Sequence, residues 1–317
     1  MAFMNSKFID QVSQEIKYAH KEIIEKDLYV HDLLSNLFSD HYFKENFLFK
    51  GGTCLVKCYL GYYRFSEDID FTWRKQDIFS DLSVKQQKKK LDSIKDETLK
   101  LVDRICQNIG LNFDNNKRNK KYIEFSGNDM RMTLKVYYDS IILRAQSFIK
   151  IQINFLEYLS FGNQKLPAQN LLLNASEETK LLFPEDFDKY SAKILVVAYD
   201  INEIVAEKVR ALLTRTGAKA RDYVDLYFIG KKYQISIDQI IKDIIIKIQF
   251  ATKRNQRYRN NLLTTKKTLR GGSMFNWGDE EKYILTPLNP REFHTYVGTL
   301  ENKLRSIIEI YYTGAKK

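Results

Sequence analysis

The stretch Arg64-Phe65-Ser66-Glu67-Asp68-Ile69-Asp70-Phe71 holds the residues best suited to chemistry. Alternate side chains of a strand share a face, so Ser66, Asp68 and Asp70 point one way and Glu67, Ile69 and Phe71 the other. Two carboxylates then stand about 7 Å apart at Cα on one surface. Like charges on one sheet face repel, and withdrawing them from water adds a desolvation cost unless a cation neutralises them. Mg²⁺, or Mn²⁺ in its place, meets that need, because it takes hard oxygen ligands from one or two carboxylates and completes its shell with water and phosphate oxygens. A matching place for phosphate lies just upstream in Lys50-Gly51-Gly52-Thr53. Gly51 and Gly52 let backbone N–H groups approach an anion, a helix opening at Thr53 adds unpaired N–H groups and a favourable dipole, and the Thr53 hydroxyl can donate. Each feature alone is common, as an ordinary strand-to-helix turn or a solvated strand. Joined by one helix, they form a phosphate cradle facing a pair of metal ligands.

The surrounding pattern supplies the elements that hold these residues. Phe47-Leu48-Phe49 is a short buried strand, Gly51-Gly52 a turn, and Thr53 to Tyr59 a helix that ends near Gly61. Arg64 to Trp73 is a second strand. Before them, Ile9, Val12, Ile16, Ala19 and Ile23 recur at helical spacing, which predicts at least two helices between Phe8 and Phe38. After them come a helix over Lys85 to Ile109 and four β segments, Leu111–Asp114, Tyr122–Ser126, Met132–Tyr138 and Ser147–Leu156, with a further strand at Ile194–Ala198. From Ile201 the pattern is helical almost to the end, over Ile201–Thr214, Arg221–Gly230, Ile237–Phe250 and Pro290–Tyr312, interrupted by a loop-like basic tract, Lys253 to Arg270, whose Tyr258 could stack on a base. The expectation is an α+β fold: a mixed β-sheet flanked by helices over residues 1–199 and a helical bundle over residues 200–317.

Composition narrows the function classes. A chain of 317 residues suffices for about two domains, and 44% apolar residues exclude disorder. The net charge of +11 is unevenly placed: residues 1–199 carry 29 basic and 27 acidic side chains, residues 200–317 carry 22 and 13. A last third at +9 suits a polyanion such as RNA or an acidic protein, the plain alternative being a solvated basic surface. Cys54, Cys58 and Cys106 are too few for a disulfide framework, show no zinc spacing and read as apolar fillers of a reducing, cytoplasmic protein. The scattered His20, His31, His41 and His294 argue against a histidine metal site. No apolar run reaches about 18 residues, and the N-terminal Met-Ala-Phe-Met-Asn-Ser-Lys lacks a signal core, so neither a membrane span nor export is expected.

With these residues in place, the sequence resembles a known family. Phe49-Lys50-Gly51-Gly52-Thr53 followed by Arg64-Phe65-Ser66-Glu67-Asp68-Ile69-Asp70-Phe71 is similar to the signature of the AbiEii/AbiGii toxins within the polymerase-β-like nucleotidyltransferase superfamily. Glu207-Lys208-Val209-Arg210-Ala211-Leu212, Arg215, and Arg221-Asp222-Tyr223-Val224-Asp225-Leu226 resemble that family's later motifs, in which a lysine and an aspartate of the second domain close over the nucleotide. The resemblance spans about residues 20 to 228. It implies Asp68 and Asp70 as metal ligands and catalytic groups, with Lys208 and Asp222; Gly51, Gly52, Thr53, Ser66, Lys208 and Arg215 as nucleotide contacts; and Arg221 and Asp225 as accessory residues. Helical spacing agrees, since Lys208 and Arg215 are two turns apart while Val205, Val209 and Leu212 supply an apolar side. The alternative for Lys208 is a surface lysine paired with Asp222 or Glu203, and for Asp222 and Asp225 an offset of the helix dipole.

One position departs from the superfamily, which commonly presents a third carboxylate from a neighbouring strand. The candidate strand Ile149-Lys150-Ile151-Gln152-Ile153-Asn154-Phe155 carries Lys150, Gln152 and Asn154 on its polar face, so the amide of Gln152 stands where an acid is sought. A general base and a second metal site are thereby weakened, with Glu124 and Glu157 as substitutes to test.

The resemblance implies nucleotidyl transfer from a nucleoside triphosphate, with GTP or CTP as donors and the 3′ end of tRNA as acceptor, by the toxin of a toxin–antitoxin or phage-defence pair with an antitoxin partner. Two other readings stand beside it: nucleotidylation of a protein hydroxyl at the same site, and a catalytically impaired nucleotide- or RNA-binding protein.

Overall fold

The strands Phe47–Lys50 (β1), Asp68–Trp73 (β2), Ile123–Ser126 (β3), Arg131–Ser140 (β4), Ala145–Asn154 (β5), Asn163–Ala168 (β6) and Ile194–Tyr199 (β7) form one mixed sheet in the computed structural model, which describes residues 4–79 and 82–314. Met1 to Phe3, the start of the stretch read for a signal core, lie outside the described residues. The strand order is β3-β4-β5-β2-β1-β7-β6. β2 lies centrally, antiparallel to β1 and parallel to β5, and β4 pairs antiparallel with both β3 and β5.

Alternation along the central strands separates two chemically distinct faces. One carries Phe49, Ile69, Phe71, Ile151, Ile153, Met132 and Leu134, all fully buried. The helices Lys21–Ser39 and His41–Asn46 cover it, with Phe38 against Phe49 and Phe71, and Phe43 edge-on to Phe71 at 4.8 Å. Each such aromatic ring contributes about 2 kcal/mol by leaving water. A slip of one residue in β2 would exchange Phe71 for Asp70 in that core, so burial fixes the register that aims the carboxylates outward. The opposite face is polar, with Asp68, Asp70 and Thr72 on β2 beside Lys150, Gln152 and Asn154 on β5.

The chain divides into two compact units, Met1–Glu157 with Asn163–Ala198, and Tyr158–Gly162 with Tyr199–Lys317. The second is helical. Its principal helices are Ile201–Thr214, Ala220–Tyr233, Ile241–Arg254, Gln256–Gly271 and Pro290–Gly314. Tyr158–Gly162 joins it through Glu203, whose carboxylate accepts from the backbone N–H groups of Ser160 and Phe161 at 2.9 Å, and through Lys247, which donates to the Tyr158 carbonyl at 2.5 Å. Lys247 is itself buried and paired with Glu203.

Several local expectations are corrected. The basic tract from Lys253 to Arg270 is not a loop: it is the end of one helix and most of the next, which Asn255 caps by accepting from Arg257 N–H. Only Leu262, Thr265 and Leu269 of that second helix are buried, too sparse a stripe to reveal its period. The strand of Arg64–Trp73 begins only at Asp68, and Leu111–Asp114 amounts to a single bridge, Asn112 to Tyr137. The edge strand β6 and the short helices Glu177–Leu182 and Pro184–Tyr190 carry too few apolar residues to be read from periodicity. Cys54 and Cys106 are buried and free, and burial pushes the Cys106 thiol up to about 12, as a packing role requires. No described helix is long and apolar enough to cross a membrane.

Candidate active site

In the first unit the glycine turn and the acidic strand meet. Gly51 follows β1 with φ at +77°, a conformation costly for any residue with a Cβ, and starts the helical segment Gly51–Cys54, which continues as the wider turns of Leu55–Leu60. A methyl group at Gly51 would collide with the Asp70 carboxylate, lying 2.9 Å from both its Cβ and its Cγ. One at Gly52 would lie 2.6 Å from an Arg64 guanidinium nitrogen and 3.0 Å from Ser66 Oγ. The turn therefore needs Gly51 for close approach as well as for backbone freedom, and Gly52 for close approach alone. Lys50 provides no side-chain cap to the helix start, since an ammonium has no acceptor for N–H groups, and it pairs instead with Glu157.

Thr53 holds the turn to the strand. Its buried hydroxyl donates to the Asp68 carbonyl and lies 2.9 Å from Ser66 Oγ, so it acts within the protein as a tie between the two motifs. Ser66, although outside β2, still arrives beside Gly52. Asp68 and Asp70 share the polar face, both half-buried, separated along β2 by the fully buried Ile69. Pairing with β5 sets Asp68 opposite Lys150 and Asp70 opposite Gln152. Lys150 Nζ stands 2.8 Å from an Asp68 carboxylate oxygen.

The donor set fits a single divalent ion. Two adjacent, partly exposed carboxylates supply hard oxygens of the kind Mg²⁺ takes, leaving positions for water and phosphate. No group of three or more His, Cys, Asp or Glu side chains arranged for a metal occurs among the described residues. Of the two candidate substitutes for the third acid, Glu124 lies away from β2, whereas Glu157 borders the polar face. Glu124 lies on β3, with β4 and β5 between it and β2, and pairs with Lys135 at 2.5 Å. Glu157 accepts from Lys50, from Asn154 and from Thr72 Oγ1 at 2.6 Å.

Two contributors escaped the sequence reading. Arg64 is buried behind the glycine turn, its second guanidinium nitrogen donating to the Phe65 carbonyl at 2.7 Å. Lys57, on the helix that follows the turn, is fully buried and bonds Asp27 and the Tyr62 hydroxyl, anchoring that helix to Lys21–Ser39. Arg64 adjoins the acidic motif and could have been singled out on that ground. The partner of Lys57 is 30 residues away in sequence and could not.

The second unit gathers the remaining candidates. Lys208 Nζ stands 3.1 Å from Asp222 and also pairs with Asp225. Arg215 reaches the other Asp222 oxygen at 2.9 Å. Arg215 is not on the Lys208 helix, as the seven-residue spacing suggested: that helix stops at Thr214 and Arg215 is extended, arriving at Asp222 from the loop. Val205, Val209 and Leu212 are buried as the apolar side. Burial disfavours the Asp222 anion, but the charges of Lys208 and Arg215 outweigh it and hold the carboxyl below its usual range. Arg221 lies near this cluster, and its charge, then burial, then Arg215 push the Lys219 ammonium below its usual value. Such crowding of cations around one helix start suits an anionic ligand.

The sequence model of a family described as "Nucleotidyl transferase AbiEii toxin, Type IV TA system" matches residues 32–292. Two solved Helicobacter pylori structures are similar to the chain. One is JHP933, 15% identical, covering 99% of this chain and 98% of that one with a TM-score of 0.42. The other, described as a candidate nucleotidyltransferase, is 17% identical and covers 92% of this chain and 98% of that one with a TM-score of 0.44. No curated protein matches the chain.

Proposed function

The chain belongs to the AbiEii family of nucleotidyltransferase toxins, and from that premise we propose that it transfers a nucleotide from a nucleoside triphosphate to the 3′ end of an RNA, tRNA being the acceptor class, with Mg²⁺ held by Asp68 and Asp70. The observation that carries this reading is the contact between Gly51 and the Asp70 carboxylate, which sets backbone N–H groups suited to phosphate directly against a metal ligand. The acceptor hydroxyl attacks the α-phosphorus as its proton passes to water, and the bond to the bridging oxygen breaks to release pyrophosphate. Mg²⁺ bound there would offset charge on the phosphate oxygens. Gln152, opposite Asp70, has no basic atom to offer, so positioning and electrostatics carry the rate. Lys208, Arg215, Asp222 and Asp225 are assigned to nucleotide handling on the strength of the family motifs, with Arg221 as an accessory.

RNA is favoured by the +9 charge of residues 200–317 and by the exposed Lys253, Arg254, Arg257 and Arg259, which flank Tyr258 at the junction of two helices. The test incubates the protein with each α-labelled nucleoside triphosphate, Mg²⁺, and either total RNA or protein extract. Label in RNA 3′ ends is the expected result. Label in protein would replace the acceptor, and nucleotide binding without transfer would make the chain a binding protein.

A further inference from the structure

Lys150 is a cation of the polar face that already engages one of the two aspartates. The parallel register of β2 and β5 places it directly across from Asp68, with its ammonium 2.8 Å from one carboxylate oxygen. The other neighbouring acid is not competing for it: Lys135, its register partner on β4, takes Glu124. Asp70 faces the neutral Gln152 on the same strand pair. The same face also carries Lys50, opposite Asp70 on β1, and Glu157, but these two pair with each other and Glu157 also accepts from Thr72 and Asn154, so a second divalent ion would have to take its acid from that network or from Asp68.

We propose that Lys150 is the built-in second cation of this site: by engaging one oxygen of Asp68 it leaves the aspartate pair with donors for a single divalent ion and keeps a second one out. The inference rests on the reading of Asp68 and Asp70 as metal ligands. A second divalent ion seated on Asp68 would have to displace the ammonium or lie in contact with it, and like charges that close disfavour both. Lys150 is thus a positioning residue that fixes Asp68 and sets the number of ions loaded.

The experiment titrates the full chain with Mn²⁺ alone and reads free Mn²⁺ by electron paramagnetic resonance, with circular dichroism confirming that each variant is folded. One Mn²⁺ per chain is expected for the natural protein and for Lys150→Arg. Lys150→Met and Lys150→Gln should bind that ion several-fold more tightly, having lost a repelling charge and freed a carboxylate oxygen, and Lys150→Glu should bind two. Two ions in the natural protein, or an affinity unchanged by Lys150→Met and Lys150→Gln, would overturn the proposal while leaving the aspartates as ligands. Asp70→Asn separates the two levels: it should abolish binding, and if it binds Mn²⁺ as the natural protein does, or if the natural protein binds none, the metal reading itself is wrong and this proposal falls with it.

Discussion

Gly51 and Asp70 are packed so closely that no side chain can stand at position 51: an added methyl would lie 2.9 Å from the Asp70 Cβ and Cγ, on a backbone already at φ +77°. Gly51→Ala therefore meets two penalties, roughly 1–2 kcal/mol for the left-handed conformation and the displacement of Asp70 itself. Gly127, in the turn between β3 and β4, has φ +62° with nothing near it, so Gly127→Ala meets only the first. Urea unfolding should show both variants destabilised, Gly51→Ala the more. Label transfer should disappear only in Gly51→Ala, and retained transfer there would dissociate the glycine turn from the chemistry.

Asp70→Asn keeps the shape of the side chain and removes its charge. Asp70 is half-buried on the polar face, outside the aromatic core packed around Phe71, so loss of its charge leaves that core intact. Nucleotide incorporation should fall by about 10²–10³-fold, the scale of losing one charge-stabilising group, with a melting temperature close to that of the natural protein. Equal incorporation by the two proteins would move the reaction away from β2.

Much of this site could be read before the fold was seen, because its parts are local. Gly51-Gly52 and Asp68-Ile69-Asp70 declare their conformations by residue type and alternation, and β2 obeys that alternation from Asp68 onward. What pairs with them could not be read, since pairing is set by the sheet. Nothing in residues 145–154 announces that β5 runs parallel to β2 with Lys150 beside Asp68 and Gln152 beside Asp70, although alternation does put Gln152 on the polar side of that strand. The same limit explains Arg215. Helical spacing carried it onto the Lys208 face, whereas the chain leaves the helix at Thr214 and returns the guanidinium to Asp222 through a loop. The helix of Gln256–Gly271 was illegible for a different reason, a polar sequence anchored by three buried side chains.

Lys208 and Arg215 bind the same carboxylate under different exposure, which predicts unequal costs. The Lys208 side chain is 9% exposed and serves both Asp222 and Asp225, while that of Arg215 is 42% exposed and water screens its pair. Lys208→Met removes the buried cation that Asp222 and Asp225 share and should cost about 3–5 kcal/mol. Arg215→Met should cost about 1 kcal/mol or less. Adding Asp222→Asn to Lys208→Met should recover part of the loss. Unfolding free energies that rank Arg215 above Lys208 would contradict this account of the cluster.

His31 makes the platform beneath the glycine turn sensitive to acid. It lies fully buried on the Lys21–Ser39 helix, the same helix that supplies Asp27 to Lys57; its Nε2 meets the Ala192 carbonyl at 2.8 Å, and Nδ1 has no hydrogen-bond partner among the described residues. Burial first, and the nearby Lys57 charge second, push its pKa down to about 3, against the opposing bond to Ala192. The unfolded chain therefore takes up a proton near pH 6.5 that the folded chain refuses until about pH 3, so the stabilisation is complete above pH 6.5 and is lost as pH falls through that window. Between pH 7.5 and pH 5 this one group should remove about 2 kcal/mol. Urea unfolding at those two pH values should show a drop smaller by about that amount in His31→Asn, which cannot take up the proton. Equal drops in the two proteins would mean that His31 is protonated in the folded state, and that the acid sensitivity of the helix carrying Asp27 has another origin.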